Sequence, residues 1–421
     1  MQFLAEVACL AGRLGDGRHV LNACADRYHF AVGLGACLAR AKVTLLPSTH
    51  TPEVVRQLRA FAPDVVCLTD EAACPIALPQ VGYAAAPTPA AAGAVPQIDP
   101  AQLVAYVFTS GSTGTPVPHR KSWGRLCACV REESVRLGLA PGCAIVATVP
   151  PQHMYGFESS VLIALANGHA LSAERPFYPA DIAAALTRVP RPRVLISTPV
   201  HLRALVAAGI QLPHTDLIVS STAPLAQQLA AEIEQRFATP LLEIYGSTET
   251  GEIAARRPTQ APEWQLWPGV TLSQRGEETW AHGGHIEEPT RMWDVLELTG
   301  AGRFLLHGRI ADLVNIAGKR SSLGYLNHQL NSIPGVLDGA FFHCDEVRTS
   351  QTGVARVAAC VVAPDLDAAR VLAALRDRVD PVFLPRPLLF VARLPRNATG
   401  KLPQEALRAL AASHSGPATV A

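Results

Sequence analysis

The segment YVFTSGSTGTP at residues 106–116 places glycines and hydroxyl side chains between a β-rich run and a helical pattern. Glycine lets backbone N–H groups converge on an anion, and hydroxyl groups add further donors. The spacing differs from that of the GxxxxGK[ST] loop, because no Lys-Ser or Lys-Thr pair follows. We predict that this loop binds polyphosphate, and a flexible Ser/Gly connection is the alternative. The predicted contacts are Thr109, Ser110, Gly111, Ser112, Thr113 and Gly114.

Further motifs follow this loop along the chain. They are PPQHMYG (150–156), SSTAPL (220–225), EIYGSTE (243–249), HGRIADLVNIAGKR (307–320) and LPRNATGK (394–401). Their content and order resemble the adenylate-forming superfamily over residues 25–410. That superfamily comprises acyl-CoA synthetases, aryl-acid ligases, carrier-protein-loading adenylation domains and luciferases. The resemblance implies an AMP-forming acid–thiol ligase that uses ATP and Mg²⁺.

The EIYGSTE motif carries the nucleotide and metal roles that this resemblance implies. Tyr245 would pack against adenine, Thr248 would contact the α-phosphate, and Glu249 would hold Mg²⁺, with Gly246 and Ser247 in the same turn. The chemistry agrees, because a hard cation prefers a carboxylate with phosphate oxygens and an aromatic face stacks on a base. An ordinary polar turn after a strand is the alternative reading.

Two other motifs would line the acid pocket. The resemblance places His153 at the pocket mouth and gives it a catalytic role, although an isolated histidine is more often structural. Ser221, Thr222 and Ala223 would line the acid and adenine sites. Without the resemblance, that turn reads as an ordinary helix start, with Thr222 as the cap and Pro224 in the first turn.

The remaining roles depend on the second half of the chain. Asp294 lies fifteen residues before Arg309, the separation expected between the family's ribose-binding aspartate and the arginine of its GRxDD segment. A carboxylate can accept from both ribose hydroxyls, whereas a solvated surface aspartate is the alternative. The family's hinge position falls on Ala311, and Gly318 would face the pantetheine channel. Small residues also absorb a backbone rotation.

Lysine is rare in this chain and occurs only at Lys42, Lys121, Lys319 and Lys401. Lys401 matches the family's catalytic lysine, which would bridge the acid carboxylate and the α-phosphate and neutralise charge in the transition state. The family's phosphate-loop lysine is Val117 here. We therefore predict that Lys121, or alternatively Arg120, compensates for it.

The implied reaction has two steps. A carboxylate attacks the α-phosphorus of ATP and expels pyrophosphate, and a thiol of CoA or of a phosphopantetheinyl acyl carrier protein then displaces AMP. The loop resembles those of compact aryl-polyene and xanthomonadin ligases, which indicates an aryl acid such as 4-hydroxybenzoate. A medium-chain fatty acid is the rival substrate. A nucleotide-binding pseudoenzyme is the rival class, favoured by Val117 and Ala311 but opposed by Glu249, Arg309 and Lys401 together.

The periodicity indicates an α/β protein. Short β-rich runs alternate with amphipathic stretches over residues 100–250, which is typical of βαβ units with a largely parallel sheet. One such amphipathic stretch is residues 157–166, and a helix capped by Thr51 is another predicted element. A β-rich region after residue 252 and a small α+β segment follow. We predict a large acid- and ATP-binding domain (1–310), shortened before the loop, and a small mobile domain (311–421).

Composition excludes several classes of partner. A formal net charge of +1 argues against nucleic acid and polybasic membrane binding. No apolar run reaches the ~18 residues of a membrane span, and we predict a cytoplasmic protein. The ten cysteines include no CxxC pair, so a structural zinc site is not expected.

Overall fold

The computed structural model describes residues 2–84, 95–110, 116–276, 278–309, 313–316, 319–343, 356–396 and 402–414. The helices are α1 (Gln2–Arg13), α2 (Arg27–Ala39), α3 (Pro52–Phe61), α4 (Trp123–Arg136), α5 (Met154–Gly156), α6 (Ile163–Asn167), α7 (Pro179–Arg188), α8 (Pro199–Ala207), α9 (Gln227–Phe237), α10 (Leu323–Asn331), α11 (Ala368–Arg376) and α12 (Gln404–His414), with a π-helical segment (Phe157–Leu162) and a 3₁₀ turn (Pro381–Phe383). None of the described helices is long and apolar enough to cross a membrane.

The strands form two large sheets and three small ones. They are β1 (His19–Asn22), β2 (Val43–Leu46), β3 (Val66–Thr69), β4 (Gln80–Gly82), β5 (Leu103–Ser110), β6 (Pro116–Ser122), β7 (Ala144–Ala147), β8 (Ala170–Leu171), β9 (Arg193–Ser197), β10 (Leu217–Ser220), β11 (Leu241–Ser247), β12 (Gly251–Arg256), β13 (Trp264–Leu266), β14 (Val270–Arg275), β15 (Glu278–Gly283), β16 (Thr290–Arg291), β17 (Asp294–Gly300), β18 (Arg303–Arg309), β19 (Leu313–Ile316), β20 (Lys319–Ser322), β21 (Asp338–His343), β22 (Val357–Val362) and β23 (Leu388–Phe390).

The first sheet has the order β4-β3-β1-β2-β5-β6. Its first five strands are parallel, and β6 returns antiparallel to β5 with Thr109 opposite Val117. The predicted helix after Thr51 is confirmed as α3, because the Thr51 hydroxyl accepts from the Val54 N–H at 3.4 Å. Residues 74–99 are rich in alanine and proline and contain the short edge strand β4, and residues 85–94 lie outside the described part.

The second sheet has the order β17-β18-β13-β12-β11-β10-β9-β7-β8. Strands β8, β7, β9, β10 and β11 are parallel, and the other four are antiparallel. Ligand sites of α/β sheets lie at the carboxyl ends of parallel strands. The turns after β10 and β11, which contain SSTAPL and YGSTE, lie there together. The predicted α/β class is confirmed.

The helical stretch from α5 to α6 differs from its predicted amphipathic character. All six residues of the π-helical segment Phe157–Leu162 are buried, including Glu158, Ser159 and Ser160. The interpretation of residues 157–166 as amphipathic is therefore wrong for its first half. This segment packs against α4 and near β7 and has no solvent-facing side, so its polar residues have to find partners inside the protein.

The C-terminal segment mixes strands and helices, which agrees with the predicted small α+β segment. Strand β22, helix α11, strand β23 and helix α12 follow one another there. Strands β21, β22 and β23 form a three-stranded sheet with apolar clusters on both faces, one including Phe341 and Val371 and the other Phe342 and Leu407. The domain division at residues 310 and 311 remains a prediction.

Candidate active site

Two residues predicted to bind the nucleoside, Tyr245 and Asp294, meet in the structure. The Tyr245 hydroxyl donates to Asp294 Oδ2 at 2.6 Å. The Tyr245 ring packs against Trp264 and Phe304, with ring centroids 5.5 and 5.4 Å away. Asp294 lies directly opposite Arg309 in the β17–β18 pair. A half-buried carboxylate held beside an aromatic ring suits a ribose hydroxyl pair better than a free surface position does.

The turn after β11 has a fixed backbone. A Cβ on Gly246 would lie 2.3 Å from the Gly251 carbonyl oxygen, so only glycine fits at this close approach of β11 and β12. The Ser247 N–H donates to Thr250 Oγ1 and the Thr250 N–H donates to Ser247 Oγ, each at 3.2 Å. These two bonds hold the loop tip that presents Thr248 and Glu249.

Glu249 has the surroundings of a magnesium ligand. Its side chain is 30% exposed, and its neighbours in the turn, Thr248 and Thr250, carry hydroxyl groups. No group of three His, Cys, Asp or Glu side chains able to enclose a metal occurs among the described residues. Mg²⁺ is usually held by one or two carboxylates together with substrate phosphates, not by an all-protein cage. The donors present therefore fit an ion that arrives with a nucleotide and is held by Glu249.

His119 is a site residue that the sequence motifs did not identify. Its Nε2 lies 2.9 Å from Thr109 Oγ1, at the root of the predicted phosphate loop. The same nitrogen lies 3.6 Å from Glu249 Oε1. Burial lowers the pKa of this imidazole, and the Glu249 carboxylate acts in the opposite direction. The histidine therefore connects the loop strand to the Glu249 carboxylate.

The predicted compensating residues take different positions on β6. Val117 and Arg120 are exposed, whereas Lys121 is only 4% exposed. The Lys121 ammonium donates to the backbone carbonyl of Glu249 at 3.2 Å. Its described contact is therefore with the turn that carries Glu249.

The turn after β10 is tied to β11 by polar side chains. Ser221 Oγ donates to the Ile244 carbonyl at 3.0 Å, and Glu243 Oε1 accepts from the Leu225 N–H at 2.9 Å. Thr222 has a φ of +79°, a left-handed conformation that is costly for a β-branched residue and often marks a functional site. Helix α9 begins only at Gln227, so the alternative in which Thr222 caps it is wrong.

The PPQHMYG loop places His153 directly before α5. The His153 N–H donates to the Pro150 carbonyl at 3.2 Å, which closes a tight turn after β7. A Cβ on Gly156 would lie 2.1 Å from that carbonyl oxygen, so the motif's glycine is required by the turn. His153 therefore lies at the carboxyl-end side of the second sheet, where its predicted role at the pocket mouth would place it.

For several residues, the roles that the motifs indicate stay predictions. The backbone of Ser110 and Arg309 is described, but their side chains are not. The remaining ones lie outside the described residues: Gly111, Ser112, Thr113, Gly114, Ala311, Gly318 and Lys401.

A cluster of buried acids lies behind the Glu249 turn. Glu133 of α4, Glu158 of the π-helical segment and Glu252 of β12 are each less than 5% exposed. Burial raises the pKa of Glu133 to about 8 and that of Glu158 to about 7, and raises the pKa of Glu252 well above its usual range. The Lys121 charge opposes the shift at Glu158. The cluster thus places three carboxyl groups with raised pKa values near Lys121, an arrangement that the sequence did not predict.

Residues 11–274 match the family model described as AMP-binding enzyme. The chain belongs to this family. The match includes the loop, the turn after β10 and the turn after β11. It confirms the resemblance to adenylate-forming enzymes that the motifs indicated.

Several curated relatives of this AMP-binding enzyme are CoA ligases. The 4-coumarate–CoA ligase of Rhodobacter capsulatus is 32% identical over 299 residues, which cover 70% of this chain and 73% of that protein. A 4-chlorobenzoate–CoA ligase of an Arthrobacter species is 26% identical, covering 74% of this chain and 67% of that protein. These relatives confirm that the chain is an enzyme of the acid–thiol ligase class.

Solved structures confirm the fold of this AMP-binding enzyme. ATP-bound MatB from Rhodopseudomonas palustris superimposes with a TM-score of 0.81 at 19% identity, and the match covers 97% of this chain and 92% of that one. The shared fold therefore extends over nearly the whole chain.

Proposed function

We propose that the protein activates an aryl acid such as 4-hydroxybenzoate with ATP and transfers the acyl group to a pantetheine thiol. The observation that carries this proposal is the Tyr245–Asp294 pair of the second sheet together with the Thr109–His119–Glu249 chain, which connects β5 and β6 of the first sheet to the turn after β11. The first pair suits a nucleoside, and the second suits phosphates with a divalent cation. Together they form a site for an ATP·Mg complex.

The first step brings two anions together. A carboxylate oxygen attacks the α-phosphorus, the bond to the β-phosphate breaks, and pyrophosphate leaves with the bonding electrons. The loop N–H groups, Thr248 and Lys401 would hold the phosphate and carboxylate oxygens in line. The magnesium ion, when bound, neutralises charge on the phosphate oxygens. Tyr245 and Asp294 would fix the adenosine so that the α-phosphorus faces the acid pocket beside His153.

In the second step, the thiol sulfur replaces AMP on the acyl carbon. The thiolate attacks the acyl carbonyl carbon, the carbon–sulfur bond forms, and the carbon–oxygen bond to AMP breaks. The thiol proton passes to solvent and AMP leaves with the former carboxylate oxygen. Access for the pantetheine arm would follow a rotation of the C-terminal segment near Ala311, which withdraws Lys401 and brings Gly318 to the channel.

The choice of an aryl acid rests on the loop resemblance and on the relatives. Both relatives described above are named for aromatic acids, and both are named as CoA ligases. CoA is therefore the acceptor that they favour, and a phosphopantetheinyl carrier protein has the same thiol chemistry. The nine described cysteines form no disulfide, which fits the cytoplasm, where ATP and CoA are supplied.

Acid-dependent exchange of labelled pyrophosphate into ATP tests this proposal. With a panel of 4-hydroxybenzoate, 4-coumarate, benzoate and octanoate, we expect an aryl acid to exceed octanoate by about 10-fold or more in kcat/KM. Addition of CoA, or of a phosphopantetheinylated carrier protein, should then yield a thioester detectable by mass spectrometry. Preference for octanoate would favour the fatty-acid alternative. If the protein binds nucleotide but none of the acids supports exchange, the pseudoenzyme alternative is favoured.

A further inference from the structure

Strand β6 has three residues on one face, and two of them contact Glu249. Side chains on a strand alternate between faces, so Val117, His119 and Lys121 share a face and Arg120 lies on the other. Along this face burial increases from Val117, which is 45% exposed, to Lys121, which is 4% exposed. His119 and Lys121 are therefore more buried than Val117, which lies at the end of β6 next to the loop.

His119 acts on the carboxylate of Glu249. Its Nε2 is close to both Thr109 Oγ1 and Glu249 Oε1, at 2.9 and 3.6 Å. The side chains of His119 and Glu249 are 18% and 30% exposed, so solvent competes only partly with this contact. The ring nitrogen is thus an ion-pair neighbour of the carboxylate, and its shorter contact with Thr109 ties it to the strand that leads into the phosphate loop.

Lys121 acts on the backbone of the same residue. Its ammonium donates to the Glu249 carbonyl at 3.2 Å and lies among Glu158, Glu287 and Glu249. A buried ammonium needs acceptors and counter-charge, and the carbonyl and Glu158 supply them. The lysine therefore fastens the exposed turn to the buried acid cluster behind it.

We propose that His119 and Lys121 are positioning residues that hold Glu249 from two sides, His119 at the carboxylate and Lys121 at the carbonyl. This inference rests on the proposed function, in which Glu249 holds the metal of the nucleotide. It replaces the direct phosphate contact predicted for Lys121 by an action through Glu249. Loss of a residue that orients a metal ligand typically lowers metal affinity or activity by about 10- to 100-fold.

The test measures metal binding apart from turnover. The protein with αβ-methylene-ATP, which cannot be cleaved at the reacting bond, is titrated with Mn²⁺ and followed by EPR. We expect His119→Ala and Lys121→Met each to weaken Mn²⁺ binding by about 10- to 100-fold. Lys121→Arg should recover most of the loss, because it keeps a buried donor. Arg131→Ala, which removes an exposed charge on the neighbouring α4, is the matched control and should bind Mn²⁺ normally.

Calorimetric binding of AMP without metal and thermal unfolding separate the outcomes. AMP affinity should be unchanged in every variant, because Tyr245 and Asp294 are untouched. Should Lys121→Met fail to fold, Lys121→Met with Glu158→Gln removes both buried charges, and His119→Ala tests the carboxylate side independently. Normal Mn²⁺ affinity in variants that lose only melting temperature would overturn the positioning role. A wild-type protein that bound neither AMP nor Mn²⁺ with the analogue would overturn the proposed function itself.

Discussion

Replacing Lys401 by alanine is expected to lower the rate of adenylate formation by about 10²- to 10³-fold, the usual effect of removing one preorganised group that stabilises transition-state charge. The reason is electrostatic. The attacking carboxylate and the α-phosphate are both anions, and a compact ammonium between them offsets their repulsion. Acid-dependent ATP–pyrophosphate exchange measures this step directly.

The second half-reaction provides an internal control for Lys401. If the lysine serves only adenylation, Lys401→Ala should still convert a synthetic aryl-adenylate and CoA to the thioester at close to the wild-type rate. Arg376→Ala, which removes an exposed positive charge on α11, should leave both half-reactions unchanged. A Lys401→Ala protein with normal exchange would contradict the catalytic assignment.

Replacing Glu249 by glutamine is expected to raise the concentration of Mg²⁺ needed for half-maximal exchange by about 100-fold or more, above the 10- to 100-fold effect of losing a residue that only orients the ligand. The substitution preserves shape and removes charge, and the amide is a poor ligand for a hard cation. Saturating Mg²⁺ should restore part of the rate. The measurement is exchange as a function of free Mg²⁺ at fixed ATP and acid.

The control for Glu249→Gln is the same change of glutamate to glutamine at another surface position. Glu232 is exposed on α9, and Glu232→Gln should leave the Mg²⁺ dependence unchanged. Thermal unfolding of Glu249→Gln should match that of the wild type, because the carboxylate is partly exposed and its turn is held by Ser247, Thr250 and Lys121. An unaltered Mg²⁺ dependence in Glu249→Gln would show that another group holds the metal.

The sequence motifs alone predict much of the nucleoside site. The EIYGSTE motif points to Tyr245, the spacing to Arg309 points to Asp294, and the two side chains share a hydrogen bond in the structure. Tyr245 precedes a recognisable turn at the carboxyl end of the parallel strand β11, where ligand sites of such sheets lie. Asp294 begins the antiparallel strand β17, so its spacing from Arg309, and not a local turn, identifies it.

No motif marks His119. The sequence predicts a helical pattern after the loop, whereas the structure has strand β6 there, and the period of two along this strand brings residues 117, 119 and 121 to one face. Lys121 and Arg120 carry the permanent charge expected to reach the phosphates, so the prediction passes over the histidine beside them. The distances from His119 to Thr109 and Glu249 supply what the pattern lacks.

The buried acids are outside the reach of sequence patterns. Glu133, Glu158 and Glu252 come from a helix, a π-helical segment and a strand, and no local pattern connects them. Glu158 lies in a stretch with amphipathic periodicity, where charge indicates solvent. Only the packing of the π-helical segment against α4 puts this charge inside, and packing between distant segments is a tertiary property.

Transfer of oxygen from the acid to AMP is the most direct test of an acyl-adenylate intermediate. The protein is incubated with 4-hydroxybenzoate labelled with ¹⁸O in its carboxylate, ATP, Mg²⁺ and CoA, and the AMP is recovered for mass spectrometry. Because one carboxylate oxygen becomes the bridge to phosphorus and leaves with AMP, the account predicts one ¹⁸O atom in each AMP formed with thioester. AMP that carries no label while thioester accumulates would contradict it.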